Sequence, residues 1–138
     1  MDAEGRDFKG SIIALWGITY KKDTNDVRYS PAASFVKKAL KLGAMLSIYD
    51  PYGMPEFKRL YPEGETVRYA PNKYSALVGA RILVIMVDWD EFKNVSFIKI
   101  RSVMDVPEII DCSRLYLKRK RDIESLGIKY KYIGQASE

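Results

Sequence analysis

Ile82-Leu83-Val84-Ile85-Met86-Val87 is an unbroken apolar run, and Asp88-Trp89-Asp90-Glu91-Phe92 follows it directly. A strand with one wet face alternates polar and apolar residues. A continuous run of this length fits a strand covered on both faces, as in the centre of a parallel sheet. Residues 11–16, 45–49, 66–69, 108–111 and 130–133 are the other strand candidates. Amphipathic segments lie between them, at 31–42, 55–61, 73–78, 97–103 and 118–126. Strand–helix–strand alternation predicts an α/β fold: a doubly wound, mostly parallel sheet of about six strands with helices on both faces.

The segment 31–42 shows how local chemistry sets an element. Ser30 can cap it and Pro31 suits a first helical turn. Ala32, Phe35, Val36, Ala39 and Leu40 share one face at helical spacing, and Gly43 ends it.

In such sheets ligands sit beyond the carboxyl ends of the strands. The corresponding loops are 17–30, 50–54, 88–94 and 111–117. The first is the richest: Lys21, Lys22 and Arg28 stand among Asp23 and Asp26, a mixture suited to a phosphate-bearing ligand. It is not a dinucleotide fingerprint, because after Gly17 there is no G-x-G-x-x-G and about a dozen polar residues intervene before the helix. Asp50, ending the second strand, is either an acid placed for a ribose or a turn cap in Tyr49-Asp50-Pro51. A phospho-acceptor receiver domain would need an acidic pair after the first strand, where Trp16-Gly17-Ile18 stands. Asp88 or Asp90 is expected to cap a short helical turn, with Trp89 and Phe92 tucked under the sheet edge.

Composition bounds the chemistry. The 138 residues fit one globular domain with 47% hydrophobic and 30% charged residues. No apolar run approaches the roughly 18 residues of a membrane span, and the start lacks a signal-peptide core, so a cytoplasmic location is expected. The formal charge of +5 is spread among acids, apart from Lys118-Arg119-Lys120-Arg121, which reads as a solvated helix turn or a phosphate patch. Nucleic-acid binding rests on charge alone. Histidine is absent and Cys112 is the one cysteine, so neither a Ser-His-Asp nor a Cys-His site can be built, and no spacing suggests a metal. Cys112 reads as buried and inert. Residues 1–9 are polar and unpatterned and read as a linker or expression remnant ahead of a domain at 10–138.

The stretch Gly17-Ile-Thr-Tyr-Lys-Lys-Asp-Thr-Asn-Asp-Val-Arg-Tyr-Ser-Pro31 resembles the G-x-x-[FY]-K-x-[DN]-T-x-D-x-R-x-[SA]-[PS] loop of nucleotide-sugar 6-dehydrogenases, found in their C-terminal, UDP-binding domain. Gly43-Ala44, Tyr49-Asp50-Pro51, the 88–92 stretch and Leu126-Gly-Ile-Lys-Tyr-Lys-Tyr-Ile-Gly134 agree in order, so the resemblance covers residues 8 to 134. Within the family the text is most similar to the UDP-glucose enzymes; the UDP-N-acetylmannosamine and GDP-mannose branches share much of it.

The resemblance implies a Rossmann-like domain that binds a UDP-sugar and closes over NAD held mainly by an N-terminal domain. It implies a full-length homodimer that oxidises the sugar C6 alcohol to a carboxylate with two NAD. The catalytic cysteine, its lysine partner and the glycine motif belong to regions outside this chain, so no catalytic residue is assigned and the fragment is expected to be inactive. Tyr20 and Lys21 match the aromatic–lysine pair that holds the substrate, and Arg28 matches an arginine that reaches NAD. After the fifth strand the family pattern Asp-x-Arg-Asn is replaced by Asp111-Cys112-Ser113-Arg114, with Ser113 in the place of the substrate-contacting arginine and Arg114 beside it as its substitute. The alternatives are a non-catalytic module that binds nucleotide sugars and, from charge only, a nucleic-acid binder.

Overall fold

The computed structural model describes residues 8–24, 26–27 and 30–133. Six strands form one sheet in the order β3-β2-β1-β4-β5-β6, with every pairing parallel. The strands are β1 (Ile12–Trp16), β2 (Met45–Tyr49), β3 (Val67–Tyr69), β4 (Ile82–Ile85), β5 (Glu108–Asp111) and β6 (Lys129–Tyr132). The helices are α1 (Pro31–Lys41), α2 (Met54–Leu60), α3 (Phe97–Val103) and α4 (Lys120–Ser125). The strand order reverses between β1 and β4, the switch point at which doubly wound sheets open a crevice.

Each strand of the centre feeds two cores, which explains the continuous apolar runs. Ile82 and Val84 of β4 pack with Ile13, Leu15, Leu46 and Ile48 against Val36 and Ala39 of α1 and Phe57 of α2. Leu83 and Ile85 face the other way, with Ala14 and Trp16, against Phe97 and Ile100 of α3 and Ile123 of α4. A one-residue slip would exchange the two sets. The first core reaches back to Phe8, which is buried beside Ile13, Phe35 and Ala44.

Expected and observed elements differ at instructive places. β4 stops at Ile85, because Met86 has its last ladder bond to the Trp16 carbonyl and the chain then turns into the crevice loop. The segment 73–78 forms only a 3-10 turn at Ser75–Leu77, held by the Asn72 side chain accepting from the Ser75 amide at 2.8 Å. The segment 118–126 begins as a 3-10 turn, Leu117–Arg119, before α4.

α1 starts as read: Ser30 is its N-cap, its hydroxyl accepts from the Ala33 amide, and Pro31 opens the first turn. Ser30 is buried, so no water replaces the lost acceptor. Ser30→Ala is expected to cost about 1 kcal/mol of unfolding free energy, measured by urea denaturation. Among the described residues no helix is long and apolar enough to cross a membrane.

Candidate functional site

The loops after β1, β2 and β4 meet over the switch point, and one side chain joins them. Asp50 is fully buried at the end of β2. Its Oδ1 accepts from the amides of Tyr52 and Gly53, both at 2.8 Å. Its Oδ2 accepts from the Ile18 amide at 2.9 Å and from the Trp89 indole Nε1 at 3.1 Å. Both oxygens are thus used twice. Asp50 is a turn cap, as one reading of Tyr49-Asp50-Pro51 held, and no oxygen is left over for a ribose. It is also a post that fixes the roots of three loops.

The β1 loop leaves the sheet at Gly17, whose amide bonds to the Tyr49 carbonyl at 3.0 Å and whose φ is +93°. It then folds on itself. The Tyr20 amide donates to the Asp26 carbonyl at 2.7 Å, the Thr19 hydroxyl to the Lys21 carbonyl at 2.8 Å, and the Asp26 amide to Thr24 Oγ1 at 3.1 Å. Thr19 is buried while the Tyr20 ring and Lys21 stand in solvent. Gly53 packs so closely beneath this loop that a Cβ there would lie 2.6 Å from Thr19 Cγ2. Lys21 is therefore a cation presented at the switch point on a braced backbone. Arg28 lies outside the described residues.

The β4 loop carries Asp90–Phe92 as a 3-10 turn with Trp89 before it. Neither Asp88 nor Asp90 caps this turn through its side chain, which corrects the expectation: the turn is held by the Trp89 and Asp90 carbonyls and by packing. Trp89 and Phe92 are buried as read, with Phe92 stacked on Trp16 at a centroid distance of 4.8 Å. Asp90 instead serves as an exposed anion between Lys93 at 3.0 Å and Lys22 at 3.7 Å, which links the β4 and β1 loops. The Lys93 hydrogen bond, with the Lys22 charge added, holds the Asp90 carboxyl below the usual carboxylate range.

The β5 loop is built the same way on Asp111, also fully buried. Its Oδ2 accepts from the Tyr116 amide and the Tyr130 hydroxyl, both at 2.7 Å, and its Oδ1 from the Ser113 amide at 3.2 Å. Burial, reinforced by the Asp111 carboxylate, pushes the Tyr130 hydroxyl far above its ordinary pKa. Arg114 has φ +53°. Its Nε donates to the Ile133 carbonyl at 2.8 Å and its guanidinium lies 5.8 Å from the Tyr132 ring centre. It stands over the β6 edge of the sheet, with β4 and β5 between it and β1, the root of the Tyr20–Lys21 loop. Burial and the neighbouring Asp111 charge raise the pKa of the half-buried Cys112 thiol, which opposes thiolate chemistry.

In the basic stretch 118–121, Arg119 is a structural pin. Its Nη2 donates to the Lys93 carbonyl at 2.6 Å, and its guanidinium lies over Phe97 at 4.9 Å and Tyr116 at 5.2 Å. Among the described residues no cluster of three or more acidic or cysteine side chains could hold a metal ion.

The family model for the UDP-glucose/GDP-mannose dehydrogenase family, UDP binding domain, matches residues 14–118. The chain belongs to this family. The matched residues run from inside β1 to the start of the last helical segment and so contain all three loops that Asp50 joins. The UDP-binding domain is 36% identical over 133 residues to the UDP-glucose 6-dehydrogenase of Rhizobium meliloti, covering 96% of this chain and 29% of that protein. It is 32% identical over 127 residues to UDP-glucose 6-dehydrogenase TuaD of Bacillus subtilis, covering 92% of this chain and 27% of that protein. Among solved structures, the UDP-D-ManNAc dehydrogenase of Pyrococcus horikoshii superposes with a TM-score of 0.71 at 29% identity, over 93% of this chain and 26% of that one. The chain thus spans less than a third of the length of these relatives.

Of the residues singled out in the sequence, the structure brings Tyr20 and Lys21 together on one loop and places Arg114 elsewhere. The four-way role of Asp50 and the cross-loop ion pair of Asp90 had no local signal. The only hint was an aspartate at a strand end, which is common to turns of many kinds.

Proposed function

We propose that this domain binds the nucleotide sugar oxidised by a full-length, NAD-dependent UDP-glucose 6-dehydrogenase, and that Lys21 and Tyr20 contact it. The observation that carries this reading is the exposed Lys21 on a braced loop at the switch point of a UDP-binding domain. A single ammonium there attracts a diphosphate or the sugar hydroxyls beside it, and the Tyr20 ring covers the apolar side of the ligand.

Within the whole enzyme the overall reaction converts UDP-glucose to UDP-glucuronate and reduces two NAD. Arg28 reaches the NAD held by the N-terminal domain. Arg114 turns from the Ile133 carbonyl towards the substrate phosphate in place of the arginine absent at Ser113. The enzyme is a cytoplasmic homodimer. This domain alone does not turn over substrate. The Pyrococcus horikoshii relative supports a second reading, in which the sugar is UDP-N-acetylmannosamine.

Lys21→Ala is expected to weaken UDP-glucose binding about tenfold, the worth of one charge-assisted contact. Lys118→Ala, which removes an exposed cation on the α4 side, leaves it unchanged. Calorimetric titration of both variants separates the outcomes, and equal losses would move the site away from the β1 loop.

A further inference from the structure

Tyr52 is a large aromatic side chain that the fold displays without using it in either core. It is 63% exposed, on the loop after β2 beside the switch point. Exposure alone means little, but this ring is held. Its underside rests on the buried indole of Trp89, with ring centroids 5.1 Å apart and planes inclined by 36°. Its backbone amide is bound by Asp50 Oδ1 at 2.8 Å, and the indole beneath it by Asp50 Oδ2 at 3.1 Å. One buried carboxylate therefore fixes both the chain that carries the upper ring and the ring below it. The same carboxylate holds the Ile18 amide, two residues before Tyr20 and three before Lys21.

We infer that Tyr52, seated on Trp89, is a pre-formed stacking platform for the heteroaromatic ring of a nucleotide whose phosphates are drawn to the β1 loop. The chemistry is that of an aromatic face pre-ordered at little entropic cost, against which a flat base loses its hydration on one side. Neighbouring charges suit a nucleotide: Lys21 and Lys22 stand on the adjoining loop, and Asp90 is already occupied by Lys22 and Lys93. Two nucleotides carry such a ring in the proposed reaction, the uridine of the substrate and the dinucleotide cofactor. The inference rests on the nucleotide-sugar reading of this domain and adds the base-contacting residue to it.

The test is calorimetric titration of the 138-residue chain and its Tyr52→Ala and Tyr52→Phe variants with UDP, ADP and inorganic diphosphate. Stacking on one aromatic predicts that Tyr52→Ala weakens a nucleotide about tenfold. Tyr52→Phe retains its affinity, and diphosphate is affected by neither change. A loss confined to UDP assigns the platform to the substrate's base, and a loss confined to ADP assigns it to the cofactor's. Unchanged affinity for both nucleotides in Tyr52→Ala, or an equal loss for diphosphate, overturns the platform while UDP binding by the unaltered chain leaves the broader reading standing. An unaltered chain that binds neither nucleotide overturns both. Thermal unfolding of each variant checks folding, since loss of an exposed ring leaves the core intact.

Discussion

Asp50→Ala is expected to destabilise the domain by about 3–5 kcal/mol, because it strands four donors at once. The amides of Ile18, Tyr52 and Gly53 and the Trp89 indole all end on this carboxylate. Asp50 is fully buried, so water reaches the vacated space only if the loops part. Asp50→Asn is the sharper variant. Its amide oxygen can still accept from Tyr52 and Gly53, but its NH2 then faces the Ile18 amide and the Trp89 indole, donor against donor. It is expected to lose about half as much stability as the alanine. Urea denaturation followed by far-UV circular dichroism measures both, and a change below about 1 kcal/mol for Asp50→Ala would show that the three loops are held mainly by packing. A second effect is expected at the ligand: both variants free the root of the Tyr20–Lys21 loop, so nucleotide affinity falls even under conditions where the sheet stays folded.

Gly17→Ala is expected to cost about 3 kcal/mol or more, through two independent causes. The φ of +93° lies in a region that side chains rarely adopt. A Cβ at Gly17 would also stand 2.7 Å from both the amide nitrogen and the Cβ of Val87. The neighbour is backbone of the strand-end loop, not the tip of a flexible side chain, so relief requires β1 and the β4 loop to separate. That separation would open the switch point itself. The measurement is the midpoint of urea unfolding, and Gly127→Ala is the control: it also has positive φ, but its Cβ would meet nothing within 4 Å. Equal losses for the two variants would leave backbone strain as the whole cause and remove the argument from close approach.

The sheet was readable because both of its faces are covered. Ile82–Ile85 and Ile12–Trp16 are apolar at every position since alternate residues enter different cores, and a continuous run between turn signals points to a buried parallel strand. α1 was readable from a cap, a proline and a face. The elements that misled are those whose stability comes from elsewhere. The 73–78 segment has helical spacing, yet its hydrogen bonds go to Asn72 and to a single 3-10 turn. Asp90 looked like a cap because aspartate before a short turn usually is one; here two lysines from different loops compete for it, and the cap is not formed. The site divides in the same way. Tyr20 and Lys21 were visible as part of a long, charged strand-end loop. That one aspartate on another strand holds this loop, the Tyr52 turn and the Trp89 indole together is a tertiary fact, with partners 32 and 39 residues away in sequence. Ser113 and Arg114 are intermediate. The sequence showed the exchange of residues, while the structure shows that Arg114 spends its Nε on the Ile133 carbonyl, a bond that must break for the guanidinium to reach a ligand over β1.

That the domain carries the nucleotide-sugar half of a dehydrogenase site is tested most directly by separate calorimetric titrations of the chain with UDP, UDP-glucose and NAD. UDP and UDP-glucose are expected to bind, and NAD far more weakly, because the proposed reading assigns the principal NAD contacts to an N-terminal domain. Binding of NAD without UDP, or no heat from either uridine nucleotide at millimolar concentration, would contradict it.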